Sequence, residues 1–82
     1  PATLAANISA ELTIPVIGIG AGAACDGQVL VSYDMLGVTM DAAPKFVKNF
    51  LTDSDNGIPG AIEGYVNSVK NLTFPSDDHC FN

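Results

Sequence analysis

Apolar residues recur in three different patterns along this chain, and each pattern predicts a different element. In residues 2–12, Leu4, Ile8 and Leu12 return every four positions beside Ala5 and Ala6, which is helical spacing. Pro1 suits the first position of that helix, and Ile14, restricted by the following Pro15, ends it. Residues 14–19 (IPVIGI) form a continuous apolar run, as in a parallel strand covered on both faces, with Pro15 near the start where a strand tolerates it. In residues 44–51, Phe46, Val47, Phe50 and Leu51 make one stripe after Pro44, predicting an amphipathic helix. A polar loop follows at 52–59 (TDSDNGIP). A last helix is predicted at about 60–71, with Ile62, Tyr65, Val66 and Val69 as its apolar stripe. Residues 74–81 read as an irregular tail.

The segment between the strand and the second stripe is ambiguous. Residues 28–31 (QVLV) have strand propensity. The gap after Ile19 is short, however, and a parallel crossover needs about a dozen residues or more. Asp26 can cap a helix, and Val29, Leu30, Tyr33 and Leu36 fall at helical spacing. This reasoning favours a short helix at about 26–33 and the next strand at about 35–39. The predicted order is helix, strand, helix, strand, helix, helix. Two parallel strands leave both faces and both edges uncovered, so the pattern reads as part of a larger α/β sheet.

Composition narrows the function classes. The 82 residues are 48% hydrophobic and 15% charged, which is globular and fits at most one small domain. The core material is thin, with no Trp and many Ala among the apolar residues. The net charge is −6 and all three basic residues are Lys, which argues against nucleic acid and against an anionic membrane surface. Cys25 and Cys80 do not resemble a secreted disulfide framework, so no disulfide is expected. The triplets at Asn7 and Asn71 would matter only in a secreted protein. The chain opens inside a predicted helix, with neither a signal peptide nor a transmembrane run, and reads as a segment of a longer protein.

The candidate chemistry lies at the strand's end. Gly18, Gly20 and Gly22 stand two apart where the apolar run stops. Glycines there let a backbone approach a ligand, and in α/β proteins ligands bind at that end of the strands. No basic residue follows, which argues against a dinucleotide or phosphate site. Two readings stay open: a close-packed wall beside a small substrate, or a turn required only for packing. Asp26 reads as a cap or turn residue rather than a ligand. Asp34 lies near the C-terminal lip and is the one carboxylate to watch, although an exposed loop carboxylate is the commoner outcome. Tyr33 carries no assigned chemistry. Asp77, Asp78, His79 and Cys80 resemble a metal cluster by composition but lack the spaced geometry of a zinc site.

The succession IPVIGIGAG, CDGQVLV, DMLG, PKFVKNF and FPSDDHCF, in this order and spacing, resembles the C-terminal region of the ketopantoate hydroxymethyltransferase family over almost the whole chain. The resemblance implies a (β/α)₈ TIM barrel, of which residues 1–82 form an incomplete C-terminal segment. Residues 14–19 would be the seventh strand, the Met35 region the eighth, and 44–51 and 60–71 terminal helices. It implies transfer of a hydroxymethyl group from 5,10-methylenetetrahydrofolate to 3-methyl-2-oxobutanoate, giving 2-dehydropantoate on the route to pantothenate and coenzyme A. It further implies Mg²⁺, a cytoplasmic homo-oligomer, and partners limited to the keto acid, the folate and the rest of the barrel. The family's metal ligands and catalytic base would lie in other strands, so no catalytic residue and no metal ligand is carried over. Gly18, Gly20 and Gly22 would form a substrate-proximal wall, and the tail would dock. The isolated chain is expected to be inactive and poorly folded. Two other functions remain open: a structural piece that closes a barrel and supplies an oligomer surface, or a small-ligand binding module.

Overall fold

The computed structural model describes residues 1–38 and 43–81. Helix α1 spans Ala2–Glu11, strand β1 Ile17–Gly18, strand β2 Gly27–Gln28, helix α2 Ser32–Met35 and helix α3 Gly57–Lys70, followed by a 3-10 turn at Asp77–His79. The two strands are parallel, with Ile17 opposite Gly27 and Gly18 opposite Gln28.

Helix α1 forms where the four-residue period predicts it, but its stripe faces outward. Leu4 and Leu12 are about half exposed, and no residue of the helix is buried. The small residues Ala2, Ala5, Ala6 and Ser9 form the half-buried side instead. Only Ile17–Gly18 of the apolar run is paired as strand, and Ile14, Ile17 and Ile19 stay largely exposed among the described residues.

The predicted helix at 26–33 and strand at 35–39 are both corrected. Asp26 does not cap a helix. Its carboxylate accepts the Val16 N–H at 2.8 Å and a long 3.4 Å contact from the Ser9 hydroxyl. That bond ties the start of β2 to β1, and the Val16 carbonyl accepts from the Asp26 and Gly27 N–H groups. The strand propensity of 28–31 is realised only at its start. The crossover rule fails because β1 and β2 are two residues long and no helix is needed between them. The intervening loop doubles back through Gly20 (φ +63°) and Gly22 (φ +86°), conformations costly for a residue with a Cβ. Met35 then ends a helix where the eighth strand was expected, and Gly37 follows in a left-handed turn. Thr39 lies outside the described residues.

The helix expected at 44–51 is a single turn, closed by the Val47 N–H on the Pro44 carbonyl at 3.0 Å. Asn49 competes for the backbone: its Oδ1 accepts the Leu51 N–H at 2.9 Å. The Phe50 N–H donates to the Met35 carbonyl at 2.8 Å instead of to its own turn. The apolar residues still reach the core. Leu30, Met35, Phe50, Ala61 and Phe74 are buried, with Leu36, Phe46, Val47, Leu51, Tyr65 and Val69 packed around them. Phe50 meets Tyr65 and Phe74 edge-to-face at 5.5 and 5.3 Å, a geometry the ring quadrupoles favour.

Helix α3 begins earlier than predicted, with Pro59 in the first turn where its missing N–H leaves no bond unmade. Its inward line runs through the buried Ala61 and the half-buried Tyr65 and Val69, while Ile62 and Val66 are exposed. Among the described residues no helix is long and apolar enough to cross a membrane.

Candidate functional site

The loop from Gly18 to Gly22 sits between β1 and β2, held from three directions. Gly18 and Gly20 are buried and Gly22 is half-buried. A Cβ on Gly18 would stand 3.0 Å from the Cys25 Sγ. One on Gly20 would stand 2.9 Å from the Phe46 Cβ and 3.3 Å from the Phe81 ring. One on Gly22 would stand 3.1 Å from the Ala2 Cβ. Each glycine therefore lets the loop close against the chain's own side chains.

Hydrogen bonds complete the enclosure. The Gln28 side-chain amide donates to the Gly22 carbonyl at 2.9 Å. The Gln28 backbone carbonyl accepts the Tyr65 hydroxyl of α3 at 2.6 Å. Burial pushes the Tyr65 phenol above its ordinary pKa, favouring the protonated hydroxyl that donates this bond. On the other side the Phe81 N–H donates to the Gly20 carbonyl at 2.9 Å, and the Phe81 carbonyl accepts the Ala2 N–H at 2.7 Å. The Phe81 ring packs at 63° to Phe46, with the Lys45 ammonium 5.8 Å from its centroid. The tail is docked on the glycine loop.

Asp26 is a turn residue. Asp34 is half-buried within α2, and Tyr33 is exposed. His79 pairs its Nδ1 with the Ser76 hydroxyl at 2.8 Å and lies against Phe74, and the Cys80 thiol donates to the Ser76 carbonyl. Cys25 and Cys80 are both free thiols and buried. Among the described residues no three His, Cys, Asp or Glu side chains are grouped to hold a metal ion. The described residues do not fit a Mg²⁺ site, and no chemical step passes through one here. Sequence reasoning missed Gln28 and Tyr65. The signal was a lone amide inside the apolar segment CDGQVLV, which needs a partner if it is covered. It also missed an open acidic cleft of about 300 Å³ between the 53–56 loop and α3, lined by Asp53, Asp55, Glu63 and Asn67.

A family model described as ketopantoate hydroxymethyltransferase matches residues 1–77. The chain belongs to the ketopantoate hydroxymethyltransferase family. It is 58% identical to a 3-methyl-2-oxobutanoate hydroxymethyltransferase of Magnetococcus marinus, over 99% of this chain and 30% of the relative. The corresponding protein of Syntrophus aciditrophicus is also 58% identical, over 99% of this chain and 29% of its own length. A 3-methyl-2-oxobutanoate hydroxymethyltransferase 2 of Pseudomonas aeruginosa is 53% identical, over 100% and 31%. The chain thus spans about 30% of the length of these curated relatives. The family is one of TIM-barrel transferases, and two adjacent parallel strands with flanking helices are a short piece of that architecture.

Proposed function

We propose that this chain forms one part of an enzyme that moves a hydroxymethyl group from 5,10-methylenetetrahydrofolate to 3-methyl-2-oxobutanoate, giving 2-dehydropantoate. The observation that carries the reading is the unbroken family match over residues 1–77, joined to identities of 58% with relatives named for that activity. β1 and β2 serve as the last two strands of the barrel, with the final strand at Gly27–Gln28. The rest of the barrel covers the outward side chains Leu4, Ile8, Ile14, Ile17 and Ile19, and homo-oligomer contacts cover what remains. Gly18, Gly20 and Gly22 form a wall next to the keto acid. Mg²⁺ and the folate are held by residues outside this chain, in a cytoplasmic enzyme.

The test is a chimera in which these 82 residues replace the matching segment of the Magnetococcus marinus relative. The chimera is expected to form 2-dehydropantoate from the keto acid and the folate, and the isolated chain is expected to form none. A folded chimera without activity refutes the reading. Activity from the isolated chain refutes the placement of base and metal elsewhere.

A further inference from the structure

Gln28 is the residue whose side chain spans the glycine loop. Its Nε2 donates to the Gly22 carbonyl at 2.9 Å, while its Oε1 lies 3.6 Å from where a Cβ on Gly18 would stand. The main chain of Gln28 is fixed independently. It pairs with Gly18 in the strand ladder, and its carbonyl accepts the Tyr65 hydroxyl at 2.6 Å. The side chain therefore starts from an anchored base and ends on the most left-handed glycine of the loop, at φ +86°. A trans peptide is planar, with its C=O and N–H on opposite sides. Holding the Gly22 carbonyl toward the Gln28 amide turns the Ala23 N–H the other way.

We propose that Gln28 is a positioning residue. Its amide sets the orientation of the Gly22–Ala23 peptide, and through it the face that the loop turns to the carboxylate-bearing keto acid. The inference rests on the reading of Gly18, Gly20 and Gly22 as a substrate wall. No proton or covalent step is assigned to Gln28, which touches the loop and acts through it.

The test uses the chimera described above with Gln28→Leu, which removes the donor, and Gln28→Glu, which keeps the length and offers only acceptors. Each variant is expected to raise KM for 3-methyl-2-oxobutanoate about five- to tenfold, the loss of one hydrogen bond's worth of orientation, with kcat within about twofold. Hydrogen exchange of residues 19–25 is expected to accelerate while α3 keeps its protection. Exchange is read whether or not the protein turns over. An inactive wild-type chimera therefore sinks the proposed function alone. Unchanged exchange and KM in both variants sink the role of Gln28 and leave the wall. Faster exchange with unchanged KM overturns this inference and leaves the wall at Gly18 and Gly20, because the Gly22 end of the loop is then loosened without the keto acid sensing it. If Gln28→Leu fails to fold, Gln28→Glu carries the same comparison.

Discussion

Replacing Gly20 by Ala isolates how tightly the glycine loop is packed. Gly20 and Gly57 have nearly the same left-handed backbone, φ +63° and +65°. A Cβ on Gly57 would meet nothing within 4 Å, whereas one on Gly20 would stand 2.9 Å from the Phe46 Cβ. The obstructing atom is attached directly to backbone and cannot swing away, so Phe46 and its turn would have to move. A left-handed conformation costs an L-residue about 1–2 kcal/mol, and the stiffer unfolded chain of Ala returns about 0.4–1 kcal/mol. Gly57→Ala should therefore destabilise by roughly 0–1.5 kcal/mol. Gly20→Ala adds the overpacking term of about 1–3 kcal/mol, for a total of roughly 1–4.5 kcal/mol. With about 2–4 °C per kcal/mol for a domain of enzyme size, Gly20→Ala should melt roughly 2–12 °C below Gly57→Ala in the chimera. Scanning calorimetry of both at one scan rate checks it. Equal melting points, or a lower one for Gly57→Ala, would refute the account of Gly20 as a close approach and leave only its dihedral.

Other measurements probe the supports of the loop and the core. Tyr65→Phe removes the 2.6 Å bond to the Gln28 carbonyl and should destabilise by about 1 kcal/mol, read as a lower Tm. Because burial raises the Tyr65 pKa in the folded state, its contribution is fully present below the ordinary phenol pKa near 10 and is lost as pH rises through the higher folded value. The Tm of the wild type should thus fall more steeply than that of Tyr65→Phe as pH rises above the ordinary phenol pKa near 10, and parallel curves would contradict the burial. Phe50→Ala should cost about 3–5 kcal/mol, since the ring is 4% exposed and meets both Tyr65 and Phe74, and a fall in Tm of less than about 3 °C would refute its central place. The isolated chain should show no sharp cooperative melt, because its exposed Ile14, Ile17 and Ile19 and open strand edges invite association; a sharp melt from a monomer would overturn that.

The two long helices were legible because their signals are local. Period, proline placement and turn formers all lie within a dozen residues of each other. What decided the rest came from farther away. At 44–51 the helical stripe is real, yet the Phe50 N–H goes to Met35 and the Asn49 side chain takes the Leu51 N–H, partners a periodicity count does not contain. At 28–31 the strand propensity is set against a minimum crossover length that applies to longer strands than these. In α3 hydrophobicity points to Ile62, but the close approach to the aromatic cluster is made by Ala61, whose small size is what the packing needs. The glycines were visible as an approach site. That they approach Phe46, Phe81 and Ala2 could not be read from a pattern that shows space and not its occupant.

The bonds from Phe81 to Gly20 and to Ala2 have a consequence for the order of folding. They join residues about 60 and about 80 positions apart, and closing loops of that length opposes their formation by about 4 kcal/mol of entropy. β1, β2 and the Gln28 clamp are local by comparison and can form during synthesis. The outer support of the glycine loop waits for Phe81 to emerge. The loop thus acquires its final shape late, so a ribosome-bound chain that stops short of Phe81 would carry Gly18, Gly20 and Gly22 with only the inner supports in place.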